Sequence, residues 1–97
     1  MTKRADLNRI KAERQAVYGD PQQSHENIGL SWTGLIQQHY GLRLDHPLPS
    51  WLVAQMLVVF KIQRAARVYH RDNYDDAVNY MDFASEGQVA DSRQVTD

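Results

Sequence analysis

Ser50-Trp-Leu-Val-Ala-Gln-Met-Leu-Val-Val-Phe-Lys-Ile-Gln-Arg-Ala-Ala-Arg-Val-Tyr69 is the stretch on which the reading of this chain turns. Ser50 follows two prolines, Pro47 and Pro49, and is a favourable N-cap. From Trp51 to Ile62 only Gln55 and Lys61 interrupt the apolar side chains. A helix that is apolar almost all round belongs at the centre of a bundle. The spacing therefore predicts a central, buried helix over about Trp51 to Tyr69. Its second half turns basic at Lys61, Arg64 and Arg67, and cations suit a helix C-terminus. The longest apolar run, Trp51 to Phe60, is too short to cross about 30 Å of hydrocarbon as a helix.

Leu42 to Pro49 reads as a connector. Before it, Asp20 is an N-cap and Pro21 an N1 residue for a helix over about Gln22 to Tyr40. Ile28, Trp32, Leu35, Ile36 and Tyr40 form its apolar stripe. Gly29 and Gly34 lie inside it, each costing about 1 kcal/mol against Ala, and a close approach by another helix or a ligand would explain them. Gly41 closes the helix. The first segment, about Arg4 to Val17, carries a thin stripe of Leu7, Ile10 and Val17 on a basic helix with Lys3, Arg4, Arg9, Lys11 and Arg14. It is expected to dock on the rest of the chain or on a partner chain, and Tyr18-Gly19-Asp20-Pro21 ends it.

After the central helix, His70-Arg71-Asp72 is a short turn. Asp72 is expected to cap a last helix to about Ser85, with Tyr74, Ala77, Val78, Met81 and Ala84 inward and Asp75, Asp76, Asn79 and Asp82 on the other side. From Glu86 onward the chain is polar and aperiodic, which reads as a frayed tail. No alternating strand pattern survives. The expectation is an all-α, four-helix arrangement: one helical domain over 1–85 and a flexible polar tail over 86–97.

The chain has 97 residues and a net charge of −1, from 11 Lys+Arg against 12 Asp+Glu. One domain of this size buries about two thirds of its unfolded surface at best, so a homo-oligomer is expected. There is no Cys, which removes disulfides, thiol nucleophiles and Cys-based zinc sites together. A near-neutral chain does not suit a nucleic-acid coat, whose affinity comes from phosphate neutralisation. The charged N-terminus leads into no signal-peptide apolar region, so the expected location is cytoplasmic.

No glycine-rich phosphate loop, His-Glu-x-x-His helix or nucleophile elbow is present. Lys61 and Arg64 are three apart and share a helix face, where two cations can hold a phosphate. The competing reading ties them to Asp72 or Asp76 on the next helix. Asp72 and Asp76 are four apart and with Glu26 offer oxygen ligands to Mg²⁺; the competing reading is a helix cap and a solvated acidic face. His25 and His70 are single histidines, each as well explained by a satisfied or exposed side chain. Trp32, Tyr40, Trp51 and Tyr74 read mostly as core, and Tyr18 as the exposed aromatic.

Arg14-Gln-Ala-Val-Tyr18-Gly19-Asp20-Pro21, then His25-Glu26-Asn27-Ile28 and Trp32, resembles the opening of a family of small phage and prophage proteins. The likeness continues through Met56 to Phe60, Lys61-Ile-Gln-Arg64, His70-Arg-Asp72, Asp76 and Tyr80, covering about residues 10 to 84. Asn79 stands where the family's Asp-x-x-Gly-Tyr step has Gly. That family is distantly similar to the all-α nucleotide pyrophosphohydrolases of the MazG type, helical oligomers that hold Mg²⁺ with an ExxE pair and a later ExxD pair. The resemblance implies a helical bundle and a nucleotide ligand. It does not carry the metal cage across: Glu26 stands without an ExxE partner, and Asp76-x-x-Asn79 is the nearest match to the second pair.

The leading expectation is a phage-encoded, homo-oligomeric nucleotide binder without catalytic residues, resident metal or cofactor, able to sequester a nucleotide signal of bacterial anti-phage defence in the infected host's cytoplasm. Lys61 and Arg64 would hold phosphate, His25 and Glu26 would meet sugar or base, and Asp72 and Asp76 would orient the basic groups, with Tyr18, His70 and Arg71 completing the ligand set. One alternative is a Mg²⁺-dependent nucleoside triphosphate pyrophosphohydrolase using Glu26, Asp72 and Asp76. Another is a protein- or DNA-binding adaptor working through the basic first helix.

Overall fold

The computed structural model describes Arg9 and residues 20–95. Three helices fill the described residues, with no strand among them: α1 (Pro21–Tyr40), α2 (Ser50–Arg67) and α3 (Arg71–Val95). The chain is all-α, as its periodicity implies. The helix expected over Arg4 to Val17 lies outside the described residues except for Arg9, which is helical and exposed. Among the described residues no helix is long and apolar enough to cross a membrane.

The ends of α1 follow from its punctuation. Asp20 accepts from the Gln22 backbone N–H at 3.1 Å, Pro21 occupies the first turn, and Gly41 takes the left-handed conformation at φ 64° with its N–H on the Gln37 carbonyl. Two expected caps are displaced. Pro49, not Ser50, is the N-cap of α2, and the Ser50 hydroxyl instead accepts from the Gln22 side chain at 2.9 Å. Asp72 lies inside the first turn of α3 rather than ahead of it.

The face that α1 buries is not its apolar stripe. His25, Gly29 and Thr33 are buried, whereas Leu35 and Tyr40 are exposed and Ile28, Trp32 and Ile36 half-buried. The reason is the connector. A Cβ added at Gly29 would stand 2.3 Å from the Leu48 carbonyl oxygen, so only glycine lets the chain pass there. Thr33 donates to the Gly29 carbonyl at 2.7 Å and accepts from the Leu48 N–H at 2.8 Å. Gln37 accepts from the Leu44 N–H at 2.8 Å. The connector's backbone polar groups thus find partners on α1, and small or polar residues line that face because they serve it.

α2 and α3 form an antiparallel hairpin and the main helix interface. Val53, Ala54 and Ala65 from α2 and Ala77 and Ala84 from α3 are its buried apolar residues. α2 is central but not buried all round, because Met56, Val59, Phe60 and Ile62 remain exposed. Tyr74 and Met81, expected inside, are exposed as well, while Asp76 and Asn79, expected outside, are buried. The segment from Glu86 to Val95 is the last part of α3, not an aperiodic tail. Contacts with the start of α2 hold it there. Gly87 lets α3 come so close that a Cβ would stand 2.7 Å from that of Trp51, and the Trp51 indole N–H donates to Asp91.

The two glycines inside α1 should therefore respond oppositely to alanine. Gly29→Ala meets a backbone carbonyl and is expected to destabilise by about 2–3 kcal/mol. Gly34→Ala meets nothing within 4 Å and should stabilise by about 0.5–1 kcal/mol. Urea unfolding of both variants checks the pair, and equal effects would contradict the connector's role.

Candidate functional site

α3 presents Asp76, Asn79 and Phe83 on one face, at i, i+3 and i+7. Against the lower end of this face α2 brings Lys61, whose Nζ lies 2.9 Å from Asp76 Oδ2. Both side chains are largely buried. Taking two charges out of water is costly, and each is tolerated because the other is present. Against the upper end α1 brings His25, whose ring centroid lies 5.8 Å from that of Tyr80 and 5.6 Å, edge-on, from Phe83.

Between these two contacts sits Asn79, 4% exposed. Neither its Nδ2 nor its Oδ1 has a hydrogen-bond partner. Leaving a buried donor or acceptor unmet costs about 1–3 kcal/mol, so this amide is the feature of the seam that packing alone does not explain. Next to it, Phe83 also lines a cavity of about 340 Å³ with Gln22, Ser50, Trp51 and Asp91. That volume lies within the range of small-molecule sites.

Three of the expected ligand residues, His25, Lys61 and Asp76, are thus gathered along one seam, and the others are not. Glu26 is exposed and accepts from Gln22 Nε2 at 3.1 Å. Arg64 points outward, its guanidinium 5.5 Å from the Phe60 ring centroid. His70, Arg71 and Asp72 are exposed at the start of α3, where Arg71 Nε lies 3.6 Å from Asp75 Oδ2. Tyr18 lies outside the described residues. Among the described residues no group of three His, Cys, Asp or Glu side chains could share a metal ion. The set Glu26, Asp72 and Asp76 is therefore not a ligand cluster. Of the two readings of Lys61, the tie to Asp76 is the one present. The sequence reading noted Asn79 as the neutral half of Asp76-x-x-Asn79 but placed it on the outer side of the last helix and outside the ligand set, because a short polar residue beside Asp76 looks like part of a solvated face.

Burial lowers the pKa of His25 from its ordinary 6.5. The folded state then binds fewer protons than the unfolded state at and below pH 6.5. Stability present above that pH should be lost progressively as the pH falls through this window. Thermal melts of the full chain from pH 7.5 to about 5 check this. His25→Gln, which cannot titrate, should flatten the dependence, and an unchanged slope would place its origin elsewhere.

Residues 3–88 match the profile of a domain of unknown function, DUF6378, and the chain belongs to that family. No curated protein and no solved structure matches the chain.

Proposed function

We propose that this chain is a homo-oligomeric nucleotide-binding protein that holds a phosphorylated nucleotide along the seam of α1, α2 and α3 and releases it unaltered. The observation that carries the reading is the buried, unpartnered amide of Asn79 beside the Lys61–Asp76 pair. An Asn side chain offers a donor and an acceptor side by side, the pattern that pairs with the edge of a purine base. Phe83 and Trp51, which line the neighbouring cavity, and the His25 ring edge-on to Phe83 are the apolar surfaces on which that base would rest once the seam opens to it. An ammonium has three protons to donate. Asp76 takes one from Lys61 and fixes its direction, which leaves others for phosphate. Asp76 lies seven residues from Phe83, about 10 Å along the helix, the reach of a nucleoside with its phosphates.

Binding without hydrolysis is supported by the dispersal of the carboxylates among the described residues, since Mg²⁺-assisted phosphoryl chemistry needs several of them around the ion. The resemblance to small phage proteins supports a role in sequestering a nucleotide signal of the host's defence.

Asn79→Leu separates a ligand group from a packing defect. Removing the unmet amide should raise the stability of the ligand-free protein by about 1–3 kcal/mol. It should also abolish the rise in melting temperature caused by nucleotide. The probes are nucleoside mono-, di- and triphosphates and cyclic dinucleotides, each with Mg²⁺, followed by heat denaturation and chromatography. Intact nucleotide recovered from the wild type is the expected result. Pyrophosphate release that disappears in Asp76→Ala, or no thermal response to any probe, would overturn the reading.

A further inference from the structure

The α2–α3 hairpin has two faces, and α1 covers one of them through Gln22 on Ser50, Gly29 on Val53, and His25 on Tyr80 and Phe83. Among the described residues no element covers the other face. Two contacts fix its register: Gln55 Nε2 to Gln88 Oε1 at 3.5 Å at one end, and the Tyr69 and Tyr74 rings at 6.0 Å at the other. Between them, positions 55, 59, 62, 66 and 69 of α2 and its C-terminal flank run beside positions 88, 85, 81, 78 and 74 of α3. Within the helices both series step by four and three alternately, the spacing of a coiled-coil seam, and Tyr69 follows on from the extended C-cap Val68. Neither contains a charged residue. Five of its large apolar members stand in water, Val59 59%, Ile62 46%, Tyr69 70%, Tyr74 47% and Met81 50% exposed, and Val78 is half-buried.

We infer that this face is the contact surface for a second copy of the chain, packed hairpin on hairpin about a twofold axis near Ile62 and Met81 to give a four-helix bundle. The inference rests on the homo-oligomeric part of the reading above and is independent of the ligand. Its five large side chains expose on the order of 500 Å². With the rest of the two series the face approaches the roughly 800 Å² per partner of a standard interface. Knobs at four-three spacing on two antiparallel helices need holes at the same spacing on the partner, and an identical hairpin turned end for end supplies them. The polar ends agree with this orientation. The twofold axis lays the Gln55–Gln88 amides of one copy over the Tyr69–Tyr74 phenols of the other, donor to acceptor.

The test uses the full chain at about 1–100 µM in light scattering and sedimentation. Twice the chain mass is expected, falling to a single mass in Ile62→Glu and in Met81→Glu with unchanged helical circular dichroism. The absence of Cys makes a second, folding-independent readout possible. Ile62→Cys near the axis should oxidise to a linked dimer, whereas Leu35→Cys, on the exposed side of α1, should not. A wild type that stays monomeric throughout would overturn the inference. So would a dimer that survives both Glu substitutions, or one that appears only when residues 1–19 are deleted, since the face would then belong to the chain's own N-terminus. Nucleotide-induced stabilisation measured on the same variants keeps the outcomes apart: its loss in a protein that still dimerises counts against the ligand reading alone.

Discussion

Alanine packed along a helix seam sets the distance between α2 and α3. Ala54 and Ala65 from one helix and Ala77 and Ala84 from the other are buried there. The side chains at such a contact decide how near two axes lie, within about 8–10 Å, and alanine favours the near end. A close seam has little volume to fill. Among the described residues only Val53 of the larger side chains is fully buried, and the bulkier residues beside the seam are left on its flanks. Much of the apolar content of α2 therefore faces water, and the composition of the chain is ordinary while its interior is thin.

The same constraint shapes the polar interior. Five buried polar side chains, His25, Thr33, Asn73, Asp76 and Asn79, match five buried apolar ones among the described residues. Each costs stability unless its polar atoms are met. Thr33 is met twice, by the Gly29 carbonyl and the Leu48 N–H. Asp76 is met at Oδ2 by Lys61, while its Oδ1 accepts no hydrogen bond. The amide of Asn79 is met at neither atom. A protein with so small a core has little stability to spare, and an unmet amide kept in that core is the kind of cost that functional sites carry. This is why the reading of the site rests on Asn79 rather than on the exposed cations.

Punctuation was the most legible part of the sequence. Asp20-Pro21, Gly41 and the prolines around Leu48 place the helix boundaries within a residue or two, because caps and breakers act locally. Facing was less legible. The inward side of α1 serves a backbone segment, so glycine and threonine mark it and the Ile28–Trp32 stripe does not. In α2, apolar residues all round imply burial only if enough neighbours exist, and alanine on both helices limits how many large residues the seam can take. The end of α3 depends on Gly87 and Asp91 meeting Trp51, a contact 40 residues away that periodicity within the segment cannot reveal. At the site, Lys61, Asp76 and His25 were legible as charge and aromatic chemistry, whereas Arg64, His70 and Asp72 share that chemistry but lie on surfaces the seam does not include.

On the inference that a second copy covers the exposed face of the α2–α3 hairpin, the stability of the folded chain is a mass-action quantity. The midpoint of thermal unfolding of the full chain, measured from about 1 to 100 µM, tests it most directly. A melting temperature that climbs by several degrees across that range, in one cooperative transition, is the result this account predicts. A midpoint that does not move with concentration would show that the single hairpin and α1 are stable alone, and would contradict it.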